Sequence, residues 1–347
     1  MLSAKHIFAV DGEKYGWCDI VVAAARNGAW AAAERRARLG AASVEHAAAT
    51  EDVLAPGALD AAARDFRYAR DLITRESMEQ WLVKLGLSHN DWTTYLRRDL
   101  NRARWPADAD ALLQRYPISD EQAARLTLID VMCSGELGEW MQSLGRRAAA
   151  ASSLDSAAPV RRRGEVAPPE LLRPALPLFG ASIENLREST QRVQALDDAF
   201  ERFRETQVTD AAVRDYVGRR QIDWVQFDCR MMVFPEQDMA AEAALLLRED
   251  GEGFTGVYAV AHAEPRVAHF FLDHIAGPAR NEFLAAKTGD LVGPVRVGDE
   301  YALYLIQEKV LPSPRDPEVR RRAEEGVLEN ALRQQFDQRV RWLADSR

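Results

Sequence analysis

Near residue 223 the chain changes its hydrophobic period, and that change limits what it can fold into. Up to that point apolar residues recur at helical spacing. Residues 223–234 then read Asp-Trp-Val-Gln-Phe-Asp-Cys-Arg-Met-Met-Val-Phe and halt at Pro235. Strand formers in such density, closed by proline, are the pattern of a β-strand. A long helical part followed by one strand-bearing part is expected to give a mainly helical α+β protein.

Residues 17–145 read as helices. Thr74 can cap a helix start, with Glu76 near the positive end of its dipole, and Trp81, Leu82 and Leu85 form its apolar stripe before Gly86 stops it. Ser88 and Asp91 stand at capping-box spacing for a second helix that carries Trp92, Tyr95, Leu96 and Leu100. Ser119 and Gln122 repeat the relation ahead of Leu126, Ile129 and Met132. These Trp and Met residues read as core packing. From residue 182 to 204 a further helix carries Leu186, Val193, Leu196, Phe200 and Phe203.

Between residues 148 and 180 the sequence turns Ala-Ser-rich, then basic at Arg161-Arg162-Arg163, then proline-rich at Pro168, Pro169, Pro174 and Pro177. Such sequence buries too little to offset ordering entropy, so a poorly ordered or extended linker is expected. The resulting division is an N-terminal helical domain over 1–147, a linker over 148–180 and connecting helices over 181–222. An α/β domain over 223–312 and a C-terminal helix over 313–347 complete it.

Inside the α/β domain, residues 238–248 read as an Ala/Leu helix, 249–253 as a turn and 254–261 as a short helix. A loop with His262, His269 and His274 follows, then a short helix over 281–287. Gly289-Asp-Leu-Val-Gly-Pro-Val295 enters a hairpin turning at Gly298-Asp299, with a return strand over 301–306. Asp316-Pro317 opens a long amphipathic helix through Val319, Val327, Leu332, Phe336, Val340 and Trp342. Its apolar stripe is expected to pack on the helices before residue 205.

Charge and cysteine content narrow the function. The net charge is −9, and Lys and Arg are dispersed among acids, which is not the basic stripe of a nucleic-acid binder. No window of about 18 uninterrupted apolar residues exists, so no membrane span is expected. The short apolar patch before residue 10 is cut by Asp11, Glu13 and Lys14 ahead of any signal-peptide core. Cys18, Cys133 and Cys229 lie far apart without CxxC spacing, so neither a disulfide framework nor a zinc site is expected and a reducing cytoplasm fits. No P-loop, GxGxxG or GxSxG motif is present, and no cofactor is expected.

The order strand, helix, short helix, loop, short helix, hairpin, with Gly289-Asp-Leu-Val-Gly-Pro-Val295 followed by Ala302-Leu-Tyr-Leu-Ile306, resembles a parvulin-type prolyl isomerase domain of the PpiC/SurA-like kind. Residues 245–254 similarly look like that family's helix end, Gly-containing turn and Phe. The helices before and after the domain look like the arm of SurA-type and trigger-factor-type chaperones. The Asp91-Trp92 and Gly-Pro-Val patterns together are similar to rotamase-related proteins of bacterial peptide-maturation systems, which accompany ribosomally made natural-product peptides. The resemblance implies a cleft for an extended peptide, lined here by Arg230, Met232, His269, Phe271, Phe283 and Ala302.

The sequence departs from the family at its chemistry. The tetrad that carries the first family histidine reads Arg230-Met-Met-Val233, and the second histidine falls on Ala302. In the active family the two rings are hydrogen-bonded to each other, a bond Ala302 cannot make. A degenerate rotamase is therefore expected: a non-catalytic, chaperone-like peptide binder whose partner is an extended or precursor peptide, with peptide-modifying enzymes as further partners. An active isomerase with an altered pocket is the alternative. A peptide-modifying enzyme using Cys229 or the His262, His269 and His274 loop is a second one. The histidine spacings of seven and five fit no standard metal motif, so no metal is expected.

Overall fold

The computed structural model describes residues 6–154, 167–249 and 264–343. The chain divides into two units, one of residues 1–205 with 331–347 and one of residues 206–330. The mainly helical α+β architecture is present, with a small antiparallel sheet in each unit.

The first unit opens on a hairpin. Strands β1 (Phe8–Val10) and β2 (Glu13–Tyr15) pair antiparallel with Val10 opposite Glu13, leaving Asp11 and Gly12 as a two-residue turn with φ of 47° and 93°. Two consecutive positive φ values are what a twisted hairpin needs, and Asp-Gly supplies them. This patch was expected only as a short apolar stretch. Helices follow: α1 (Trp17–Arg26), α2 (Ala29–Ala49), α3 (Ala58–Ala69), α4 (Arg75–Leu85) and α5 (His89–Arg102). Then come α6 (Ala109–Arg115), α7 (Asp120–Ser134) and α8 (Glu136–Ser152).

The caps are local and are where the sequence places them. The Ser77 N–H donates to Thr74 Oγ1 at 3.0 Å, and Gly86 ends α4 at φ 65°. The Asp91 N–H donates to Ser88 Oγ at 3.1 Å while the Ser88 N–H donates to Asp91 Oδ2 at 3.0 Å, closing the capping box of α5.

One expectation needs correction here. Residues 148–180 are not a linker throughout: α8 runs to Ser152, a 3₁₀ turn spans Glu170–Ala175 and α9 spans Leu176–Phe179. Leu172 and Ala175 are wholly buried and Leu176 nearly so, in the core that also holds Trp30 and Leu144. The apolar triplet at spacing three and one outweighs the prolines, and Pro177 sits in the first turn of α9, where its missing N–H costs nothing. Arg161, Arg162 and Arg163 lie outside the described residues. The helix α10 (Ile183–Gln207) then leads to α11 (Asp210–Arg219).

In the second unit β3 (Gln226–Phe234) is followed by α12 (Gln237–Glu249), β4 (Arg266–Phe271) and a 3₁₀ turn over Leu272–His274. Then come α13 (Ala279–Ala285), β5 (Leu291–Val297) and β6 (Glu300–Val310). The sheet order is β4-β3-β6-β5, antiparallel throughout. The segment expected as a histidine loop is therefore in part strand β4. The 254–261 helix and His262 lie outside the described residues. Gly298 and Asp299 form the turn between Val297 and Glu300. Gly293 is the residue of the Gly-Pro-Val motif that cannot be replaced: its φ is 120°, and a Cβ there would sit 2.6 Å from the Ala302 carbonyl oxygen.

The C-terminal helix α14 (Pro317–Arg339) is shorter than expected, because Val340–Trp342 leave it as strand β7 and pair antiparallel with β1. Of its expected stripe, Phe336, Val340 and Trp342 join the helical core with Trp140 and Leu144, while its first turns pack elsewhere. Val319 and Ala323 are buried among Val213, Val217 and Trp224 in the second unit. In the helical unit, Phe336 lies so close to Gly145 that a Cβ there would meet the ring at 2.9 Å.

Candidate functional site

Strand alternation decides which side chains of β3 and β6 can meet. Met232 lies opposite Leu303 and packs under α12 with Phe234, Ala240 and Ala243. Arg230 lies opposite Leu305, whose side chain packs on that same core. Ala302 lies opposite Val233 and packs on the other face with Cys229, Phe283 and Tyr304. Arg230 and Ala302 therefore cannot occupy the two positions of a facing pair, because successive strand residues point to opposite faces. The β3 residues on the Ala302 face are Phe227, Cys229, Met231 and Val233, and none carries an imidazole.

That face is packed rather than open. The rings of Phe227, Phe270, Phe283 and Tyr304 contact one another with centroids 5.2 to 5.8 Å apart. Edge-to-face and offset contacts of this kind fill a core efficiently. Of the six residues expected to line one cleft, Met232, Phe283 and Ala302 are 0% exposed and Phe271 is 1% exposed. They belong to three separate core clusters. The expected cleft is corrected accordingly: the structure does not bring the six together.

The Cys229 thiol is wholly buried, and burial pushes it up to about 12, with Asp228 adding to the rise. Such a thiol stays protonated and is a poor nucleophile. His269 Nδ1 lies 2.5 Å from Asp228 Oδ1 and its Nε2 lies 4.0 Å from Glu318. His274 Nε2 lies 3.8 Å from Asp273, which accepts from Arg322 at 2.7 Å. The two rings each lie against Phe271, at 6.3 and 5.9 Å between centroids. Among the described residues no three His, Cys, Asp or Glu side chains gather as a metal site.

An open site lies instead in the helical unit, between α3 and α5. Leu59, Ala63 and Phe66 recur at helical spacing on α3, and Phe66 is buried against Trp81, Trp92 and Tyr95. Tyr68, two residues on from Phe66, projects from a different side of the helix. It is 64% exposed, and Ile73 in the link to α4 is 56% exposed. With Leu59, Ala63 and the buried Trp92 they line a hollow of about 450 Å³, open to solvent. Arg64, Arg67, Asp60 and His89 supply its polar rim.

Arg67 is the fixed point of this groove. Its Nε donates to the Leu72 carbonyl at 2.9 Å and its Nη2 to the Ile73 carbonyl. Its own carbonyl accepts from the Arg70 and Leu72 N–H groups at 3.2 and 2.9 Å. Nothing in the sequence reading pointed to Tyr68, Ile73, Arg64 or Arg67. The available signal was Tyr68 lying off the Leu59, Ala63, Phe66 stripe.

A hollow of about 640 Å³ beside β5 is larger but less distinctive. Its Asp290 already accepts the Lys287 N–H at 2.8 Å, and its Arg248 reaches the Leu291 and Gly293 carbonyls at 3.3 Å. Among the described residues no helix is long and apolar enough to cross a membrane.

No family model matches the chain, and no curated protein matches it. Among solved structures, one from work on the virulence factor PEB4 and a related periplasmic protein of Campylobacter jejuni, described as SurA-like chaperones, is similar. It shares 11% identity, with 98% of this chain and 100% of that chain covered and a TM-score of 0.19. At that TM-score the likeness carries no weight for fold or function.

Proposed function

We propose that this chain is a non-catalytic, chaperone-like protein that binds peptide segments. The observation that carries the reading is the α3–α5 groove, where Tyr68 and Ile73 stay 64% and 56% exposed beside an arginine held in place by two carbonyls. Concave, apolar and rimmed by a few polar groups is the form of a binding site rather than of ordinary surface. The contacts among the rings of Phe270, Phe283 and Tyr304 on the Ala302 face support binding elsewhere over isomerisation there.

On the finer form of this reading the ligand is an extended or precursor peptide offered to peptide-modifying enzymes, and the protein works in the cytoplasm. Fluorescence anisotropy with labelled Leu- and Phe-containing peptides tests the groove. Tyr68→Ala is expected to weaken binding at least fivefold, the order expected when a large aromatic contact is lost. Unchanged affinity would remove the groove from the reading. A chymotrypsin-coupled proline assay should stay at background, and robust turnover would restore the isomerase alternative. For the finer form, adding the protein to a modifying enzyme and its precursor peptide should raise the modification rate.

A further inference from the structure

We infer that the α3–α5 groove selects peptides in which a carboxylate stands next to a large apolar side chain, with the carboxylate held by Arg67. This deepens the peptide-binding reading and rests on it.

Arg67 is half-buried, and its hydrogen bonds run to the Leu72 and Ile73 carbonyls. Among the described residues no carboxylate is paired with it. A guanidinium carries five N–H donors in a rigid fork, so two bonds to the α3–α4 link leave donor capacity for an incoming oxygen pair. The arginines nearby are arranged otherwise. Arg70 lies over the Phe66 ring at 3.9 Å and donates to the Cys133 and Ser134 carbonyls, which makes it part of the scaffold. Arg64 pairs with Asp65 at 3.3 Å, both side chains well exposed, and such a pair is weak and easily exchanged.

The apolar wall stands beside the cation. Ile73, whose carbonyl Arg67 holds, lines the groove with Tyr68 and Trp92. The Trp92 indole N–H is buried and donates to nothing. An apolar side chain of the ligand would meet this wall while its carboxylate meets the fork, where charge-assisted bonds to a guanidinium are the stronger kind. The groove is also polar along its length. Asp60 lies in the first turn of α3 and Arg67 in its last, about 10 Å apart along the axis at 1.5 Å per residue. A carboxylate is repelled at one end and attracted at the other, which gives the bound peptide a direction.

A carboxylate can come from an acidic side chain or from a peptide C-terminus, and both present the same oxygen pair. Anisotropy titrations of the full chain would use four labelled decapeptides. Three carry Leu-Phe followed by Glu, Gln or Lys with an amidated C-terminus, and the fourth ends in Leu-Phe with a free carboxylate. The Glu peptide is expected to bind roughly tenfold tighter than the Gln peptide, as one charge-assisted bidentate contact allows, and the Lys peptide weakest. The free-carboxylate peptide reports whether a chain end serves as well as a side chain.

Arg67→Gln should erase the Glu over Gln preference, and Arg64→Gln should reduce it without touching the α3–α4 link. Should Arg67→Gln fail to fold, the wild-type preference and its loss with rising salt decide the matter. Equal binding of Glu and Gln peptides, with Tyr68→Ala weakening both, would overturn the charge selection and leave the peptide-binding reading standing. Failure of every peptide to bind would overturn both.

Discussion

Two aromatic regions of this protein are built from the same kinds of residue and do opposite things. On the Ala302 face of the sheet, Phe227, Phe270, Phe283 and Tyr304 turn inward and contact one another. Along α3, Phe66 turns inward onto Trp92 while Tyr68 stays in water. The first region is where a resemblance to parvulins would put chemistry, and it is closed. The second lies in the helical unit, and it is open. Core side chains satisfy each other and need no ligand, whereas an exposed aromatic beside a hollow does not.

The comparison breaks most readily at Phe283. If the sheet face is core, Phe283→Ala should cost about 3–5 kcal/mol of unfolding free energy, the range for a buried aromatic truncated in a close-packed interior. Chemical denaturation measures it. A loss below about 1 kcal/mol would mean the ring lines a space already available to a ligand, and the two regions would then be alike.

Much of this was legible in the sequence where the determinant is local. Thr74, Ser88 and Gly86 act on backbone within three or four residues, so their spacing alone placed α4 and α5. The Gly298-Asp299 turn sets its own register. Asp11-Gly12 carries the same kind of signal, but its strands are three residues long and are completed by β7 from the far end of the chain. The facing of Arg230 and Ala302 was not legible, because it depends on the β3–β6 register and on the irregularity between Asp228 and Cys229. Nor was the groove: which side of α3 stays uncovered follows from how α4 and α5 pack, and Tyr68 by composition reads like any core aromatic.

A smaller effect sharpens the comparison through two thiols, one in each region. Burial raises both Cys229 and Cys133 from an ordinary 9.0 to about 12. Between about pH 9 and 12 the folded chain keeps protons that the unfolded chain has released. The folded state binds more protons there, so stability falls as pH rises, by about 1.4 kcal/mol per pH unit for each thiol at the steepest. Tyr95 and Tyr304 are raised as well and act in the same direction at higher pH. The slope must therefore be compared between the wild type and Cys229→Ala or Cys133→Ala. Each variant should lose its share of the slope near pH 9.5. An unchanged slope in Cys229→Ala would show water reaching the sheet face at that position.

The smallest expected effect is the most telling for the open region. Tyr68 and Ile73 are more than half exposed, so they take little apolar area out of water on folding. Replacing both by serine should change unfolding free energy by no more than about 0.5 kcal/mol, the usual span for surface positions. Exposed apolar side chains also raise the risk of association, so a chain gains by discarding them unless they serve something. The same double substitution that leaves the melting temperature in place should remove most peptide affinity in the anisotropy titration. If the double variant melts several degrees lower, the two side chains are structural after all and the groove is a fold of the surface. If it melts unchanged and binds unchanged, the exposed pair serves no peptide. Stability kept and affinity lost is the outcome that separates this groove from the packed face of the sheet.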